Sequence, residues 1–302
     1  MIIADGISKS FKGKKVIDSL SFHISKGEIV GFIGANGAGK TTTIRMLSGG
    51  LLQDSGLIMV NGINPTRRKN ENLKNIGLVS NINSSLWKDM KLKDSFELGK
   101  YLYKMSNSEF NKKMSYLREK LDLDKILEIP VCNLSLGQRM RSEVAYSILH
   151  NPKVLYLDEA TIGLDIENKE KVLNIIKEIN NERQTTILLA SNNLADIEKV
   201  CSKVIVIDKG KIMYEGSISR LIKKYASEYL MKIIIEGDKI PDFQDLPINK
   251  YEINNNKICI SYNNNFINSA VIIKHIITQC FIKDIQIIEP KLEDVITKMY
   301  ER

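Results

Sequence analysis

Nine consecutive residues have the types and spacing to hold a chain of phosphates: Gly34, Ala35, Asn36, Gly37, Ala38, Gly39, Lys40, Thr41 and Thr42. The glycines let backbone N–H groups wrap an anion, the lysine can reach the terminal phosphates, and the hydroxyl after it can hold Mg²⁺. The flanks agree with that chemistry. Glu28 to Ile33 is a short apolar run that reads as a buried strand, and Thr42 to Leu47 reads as a helix start. Strand, glycine loop and helix N-terminus in this order bring together unpaired N–H groups and a helix dipole, both of which favour negative charge. These residues describe a nucleotide site.

A second group lies far downstream. Lys153 to Leu157 is another buried-strand pattern, and it ends in Asp158 and Glu159. Two acids at the carboxyl end of a core strand are costly unless they serve a cation or a reaction. Asp158 suits Mg²⁺, while Glu159 can polarise a water for attack on a γ-phosphate. Just upstream, Leu134, Ser135, Leu136, Gly137 and Gln138 precede a helical stretch running to Leu149. The serine and glycine open a second helix start able to bind phosphate.

At these residues the chain resembles the nucleotide-binding subunits of ABC transporters. Gly34 to Thr42 matches their Walker A motif, and Leu134 to Gln138 their signature, with Leu136 where the first glycine usually stands. Val154 to Glu159 matches Walker B with its catalytic glutamate, and Gly163 to Asp165 the D-loop. The resemblance runs from Ile2 to about Ser217, and wording around Asn64, Trp87, Phe96 and Arg141 is similar to a bacterial branch serving drug and small-product exporters. It implies ATP and Mg²⁺ as ligands, with Thr41 and Asp158 at the metal. It also implies a head-to-tail dimer, in which Ser135, Gly137 and Gln138 face the nucleotide held by the partner's Walker A. The second ATPase subunit is then a copy or a sister chain. A separate membrane permease would be driven through the segment around Asn81 to Met90, at the cytoplasmic face of a bacterial membrane. The expected activity is ATP hydrolysis coupled to export.

Two departures from the family pattern bear on rate. No glutamine ends the strand Ile76 to Ser80, where Asn81 or Asn83 stands nearby, and Asn192 occupies the usual histidine position after Thr185 to Ser191. Asparagine can hydrogen-bond a γ-phosphate but cannot carry a proton or positive charge. Ala160 also replaces the usual proline after Glu159. Slower hydrolysis is one expectation and full compensation by neighbouring groups the other, so Asn192 stands beside Glu159 as a catalytic candidate. A hydrolysis-deficient, ATP-binding regulatory subunit of a heterodimer is the alternative function. Phe11 lies where the family stacks an aromatic ring on adenine, with Val16 packing the same pocket.

Composition narrows the class. The 302 residues suggest two domains, and 43% hydrophobic content is ordinary for globular chains. No run approaches the roughly twenty apolar residues of a membrane-spanning helix, and the N-terminal stretch carries no export-signal pattern. The cysteines Cys132, Cys201, Cys259 and Cys280 are scattered and read as reduced thiols, and the three histidines form no ligand cluster. The formal charge of +8 comes with lysines spread along the chain and no nucleic-acid motif, so solvated faces explain it and nucleic acid is not the expected partner.

The elements that must position these groups follow from periodicity. Ile2 to about Ser25 reads as an antiparallel strand pair turning at Lys12 to Lys14, and Leu57 to Val60 as a short strand. Leu92 to about Leu127 reads as a largely helical lobe, with Trp87 before it either facing a membrane subunit or buried as a core ring. The alternation of helix and strand gives an α/β fold class with a mostly parallel core sheet, and the resemblance implies a P-loop ABC ATPase domain with an antiparallel β subdomain and a helical signature lobe. A small α+β domain follows, for which the resemblance implies dimer contact or regulation. Residues 1–217 form the first domain and 218–302 the second. In the second, a helix is expected from Ile218 to about Tyr229, strands over Tyr229 to Glu236, Lys257 to Tyr262 and Ile282 to Ile288, and helices from Ser269 and Pro290.

Overall fold

Alternation in the first residues produces a hairpin of β1 (Ile2–Phe11) and β2 (Lys14–Ile24), turning through Lys12 and Gly13 at positive φ. Ile2, Ile7, Ile17, Leu20 and Ile24 point to one buried side. With β4 (Ser55–Val60) the hairpin forms a three-stranded antiparallel sheet, order β2-β1-β4. The computed structural model describes residues 1–67, 74–80, 84–225, 228–237, 240–243 and 246–300. The chain divides into two compact units, Met1–Gly216 and Ser217–Arg302.

The central sheet of the first unit contains β3 (Ile29–Gly34), β5 (Ile76–Ser80), β6 (Val154–Asp158), β7 (Thr186–Ala190), β8 (Lys203–Asp208) and β9 (Lys211–Ser217), in the order β5-β6-β7-β3-β8-β9. The pairs from β5 to β8 are all parallel. Every residue of β6 and β7 is buried, as continuous apolar runs require when both faces of a parallel sheet are covered. This order sets the carboxyl ends of β3, β7 and β6 side by side, with Phe32 opposite Ala190 and Ala190 opposite Asp158.

Helix α1 (Lys40–Leu47) starts at Lys40, two residues before the expected start, because Gly39 caps it at φ 109°. Its last turn is fixed from below: the buried Tyr156 hydroxyl donates to Leu47 O at 3.4 Å. A Cβ on Gly39 would lie 2.3 Å from Ile17 Cδ1, so the antiparallel sheet packs directly on the loop.

The expected long helical lobe is two helices, α2 (Leu92–Leu102) and α3 (Asn107–Leu121). Lys104 at φ 55° ends the first, and a capping box between Ser106 and Glu109 starts the second. Next comes α4 (Leu136–Ser147), whose buried Arg141 donates to Leu121 O at 2.6 Å and Asp122 O at 3.3 Å. A guanidinium on the unpaired carbonyls of a helix C-terminus satisfies them and complements the dipole. Buried Glu143 of α4 accepts from the Ser84 hydroxyl and from Ser85 N–H at 3.1 Å, anchoring the segment before Trp87. Helices α5 (Ile166–Arg183) and α6 (Leu194–Val200) complete the unit.

The second unit has its own core, built on β10 (Glu228–Glu236), β11 (Ile248–Asn254), β12 (Lys257–Asn263) and β13 (Phe281–Ile288) in the antiparallel order β11-β12-β10-β13. Helices α7 (Ile218–Tyr225), α8 (Ser269–Ile277) and α9 (Leu292–Tyr300) accompany it. The helix expected to reach Tyr229 ends at Tyr225, since Tyr229 pairs with Tyr262 in the register that buries Met231, Ile233 and Ile235. Strand β11 was not expected: at the sheet edge, only Ile248 and Ile253 are even half-buried, so its alternation is faint.

Two predictions follow from this packing. Gly39→Ala combines a left-handed φ with a clash against Ile17, and should cost on the order of 2–4 kcal/mol in urea denaturation. An unchanged midpoint would mean the hairpin gives way. His150, after α4, stacks on Tyr103 at 3.8 Å, and its Nε2–H donates to Ile76 O at 3.2 Å. Burial, with a smaller push from Lys113, outweighs that bond and brings its pKa down to about 4. The unfolded chain therefore binds more protons between about pH 6.5 and 4. The contribution is intact above 6.5 and is lost as pH falls toward 4, by up to about 3 kcal/mol. His150→Phe should flatten the stability profile in that window, and an identical slope in both proteins would refute this assignment.

Candidate functional site

Topology gathers the expected residues at the carboxyl ends of the parallel strands. Val16, the loop residues Ala35, Asn36, Gly37, Gly39, Lys40, Thr41 and Thr42, and then Asp158, Glu159 and Asn192 line one cleft of about 330 Å³. Ile162 also lines it, a residue with no motif signal in the sequence. Gly34 and Ala38 sit behind the lining, where Ala38 O accepts from Gly210 N–H at 3.1 Å and ties the loop to the turn after β8.

Lys40 is only 7% exposed and folds back onto its own loop. Its ammonium donates to Gly34 O at 2.5 Å, Ala35 O at 3.4 Å and Asn192 Oδ1 at 3.0 Å. Asn192 Nδ2 donates to Asn36 Oδ1 at 3.2 Å, and its backbone N–H donates to the Glu159 carboxylate. Asn192 thus joins the glycine loop, the lysine and the acid. The next residue, Asn193, holds it there by capping α6 through bonds to Ala195 N–H and Asp196 N–H.

Burial dominates the electrostatics. It lowers the Lys40 pKa against the attraction of Glu159 and Asp158. It raises Asp158 against the Thr41 hydroxyl and Lys40. It raises Glu159 against the Asn192 N–H and Lys40, with Asp158 and Asp196 adding to the rise. A carboxylate moved upward toward neutrality is better matched to accepting a proton from water. Glu159 also sits at φ 59°, a conformation costing about 1 kcal/mol for a residue with a Cβ. Its N–H is tied to Ala190 O at 2.9 Å. Asp158 Oδ1 is buried with no hydrogen-bond partner, beside the Thr41 hydroxyl that bonds the same side chain. An orphaned carboxylate oxygen next to a hydroxyl fits a hard divalent cation, which takes one or two protein oxygens and completes its shell with phosphate and water.

The remaining expected residues lie outside this cleft. Ser135 caps α4: its hydroxyl accepts from Gln138 N–H at 3.2 Å while Gln138 Oε1 accepts from Ser135 N–H at 3.0 Å. The Gln138 amide oxygen is therefore committed to the helix start. Leu136 is 45% exposed and packs against Gly163, where a Cβ would come within 2.4 Å of Leu136 Cδ2. Asp165 caps α5, accepting from Asn168 N–H at 2.8 Å. Phe11 is an exposed ring at the end of β1, with the Lys9 ammonium 5.7 Å from its centroid, and it does not line the cleft. Trp87 is 53% exposed, which removes the buried-ring reading. Asn81 and Asn83 lie outside the described residues.

Among the described residues, no helix is long and apolar enough to cross a membrane. The ABC transporter family model matches residues 17–162. An uncharacterised ABC transporter ATP-binding protein of Methanocaldococcus jannaschii is 34% identical, across 76% of this chain and 82% of the relative. The ABC transporter ATP-binding protein NatA of Bacillus subtilis is 30% identical, across 78% of this chain and 97% of the relative. The methionine import ATP-binding protein MetN of Pasteurella multocida is 33% identical, across 78% and 70%. The solved structure of an ATP-binding subunit of an ABC transporter superposes with a TM-score of 0.70 at 22% identity, covering 74% of this chain and 93% of the other, which carries the fold. Relatives matched over most of their length, together with the loop, acid pair and sheet described above, establish that this chain belongs to the ATP-binding proteins of ABC transporters.

Proposed function

We propose that this chain hydrolyses Mg-ATP as one half of a head-to-tail dimer and that closure of the pair drives export through a separate membrane permease. The observation that carries the reading is the cleft in which Lys40, Thr41, Asp158, Glu159 and Asn192 meet, while Ser135 and Gly137 lie outside it. One chain offers a phosphate cradle and, elsewhere, a capped helix start with no phosphate of its own, so two chains complete each other. Residues 1–217 are the nucleotide-binding domain and 218–302 an accessory, regulatory domain. In this reading the loop N–H groups and Lys40 hold the phosphates. Thr41 and Asp158 hold Mg²⁺, which neutralises phosphate charge. Glu159 takes the proton from the attacking water. Val16 and Phe11 receive the base, and Ser135 and Gly137 of the second subunit close on the γ-phosphate, with Gln138 bracing that helix start. The exposed Trp87, on a segment anchored by Glu143, faces the permease at the cytoplasmic side of the membrane. Export rests on the branch resemblance around Asn64, Trp87 and Arg141.

A specific observation favours a second reading, an ATP-binding regulatory subunit with slow or no hydrolysis. Asn192 Oδ1 accepts from Lys40, and an amide cannot take up the positive charge that an imidazole can.

The deciding measurement is phosphate release by the chain purified with its membrane partner. Glu159→Gln should lower kcat by at least about 100-fold with ATP binding retained, as loss of a general base does. Equal turnover in both proteins would reject Glu159 as the base. Asn192→His should raise turnover several-fold if the asparagine limits the rate. An unchanged or lower rate would assign compensation to the groups around it.

A further inference from the structure

We propose that the cleft between α3 and the C-terminal turn of α5 binds a small organic carboxylate, its charge held by Lys113 and Arg183 and its apolar body resting on Tyr116 and Ile179. The cleft measures about 410 Å³, a size that suits a small molecule. It shares no lining residue with the nucleotide cleft.

Lys113 is 7% exposed on an otherwise apolar helix face, and among the described residues no carboxylate lies within ion-pair distance of it. Its ammonium opens into the cleft, 5.3 Å from the Tyr116 ring centroid, with Glu182 attracting it from α5. A largely desolvated ammonium gains from a hydrogen-bonded anion placed on it. Arg183 lines the same cleft from α5 and, among the described residues, is likewise in no ion pair. Its guanidinium offers the planar fork that suits a carboxylate.

Charge sets the class of ligand. Glu109, Lys112 and Lys113 line the cleft from α3 and Glu182 and Arg183 from α5, so one positive charge is left over. Glu109 already accepts from Ser106 N–H and its hydroxyl in the α3 cap. A monoanion balances this set. Ile179, 3% exposed, and the Tyr116 ring supply an apolar floor beneath it. The ligand would also span two helices that are already cross-linked one turn further along, where Tyr116 and Lys120 both bond Glu178 at 2.7 and 2.8 Å.

Burial, aided by Arg183 and opposed by Glu182, lowers the Lys113 pKa to about 8. The titratable and charged groups around it are Lys112, Glu109 and Tyr116 on α3, Glu182 and Arg183 on α5, and His150 after α4. Lys113 loses its charge as pH rises through about 8, so carboxylate affinity should fall there.

The test titrates benzoate into the full chain saturated with ADP, so that the anion-binding loop at Lys40 is already filled, and follows binding by calorimetry. Saturable one-site binding is expected, at least tenfold tighter than that of neutral benzyl alcohol. Lys113→Met should weaken it at least tenfold and Arg183→Gln at least threefold. Binding that does not saturate, that is matched by benzyl alcohol, or that survives both substitutions would overturn the proposal. Should Lys113→Met fail to fold, the exposed Arg183→Gln decides alone.

Discussion

One buried cation beside a buried aspartate and a half-buried glutamate is the constraint on which the first unit depends. Lys40 and the consecutive pair Asp158 and Glu159 come from distant parts of the chain and lose much of their hydration when they meet. Each is costly alone; Lys40 and the acids lower one another's cost, while the two acids repel each other. Loop carbonyls, the Thr41 hydroxyl and the Asn192 amide take up most of the remaining donors and acceptors. The oxygen left over, Asp158 Oδ1, points to the kind of ligand that would satisfy it.

Keeping those charges together requires a rigid frame, and the parallel sheet supplies it. The order β6-β7-β3 aligns the ends carrying Asp158, Ala190 and Gly34. Tyr156 holds the far end of α1, while Ile17 seats against Gly39 at its start. The Asn193 cap then presents Asn192 to the lysine. The Asn192 amide is a neutral acceptor on Lys40, which keeps the resting loop satisfied but offers no titratable group there.

Much of this was legible in the residues. The glycine loop, the acid pair and the flanking apolar runs rely on local rules, so their identities and elements could be read directly. Other features could not. Gln138 has the spacing of a ligand-facing residue, yet its side chain closes a capping box. Trp87 fits a core or a surface equally well in sequence, because aromatic rings serve both, and only packing exposes it. Phe11 has the right position for a stacking ring, but the isolated chain leaves it outside the cleft. Strand β11 carries little signal because, at the sheet edge, only Ile248 and Ile253 pack against the core and the alternation is faint. Ile162 and the bond from Thr161 to Asp196 carry no pattern at all.

By itself the sequence determined which groups are present: a glycine-rich loop ahead of a helix, an acidic pair at a strand end, and a serine-led second helix start. These follow from residue type and short-range spacing, which the chain carries in any conformation. The tertiary structure decided which of those groups meet. It placed Asn192 between lysine, loop and glutamate, committed Gln138 to a cap, left Ser135 away from the chain's own cleft, and sank Lys113 to 7% exposure with no ion pair among the described residues. Strand order and burial set those outcomes, because they depend on contacts between residues far apart in the chain, where no local pattern records the partner.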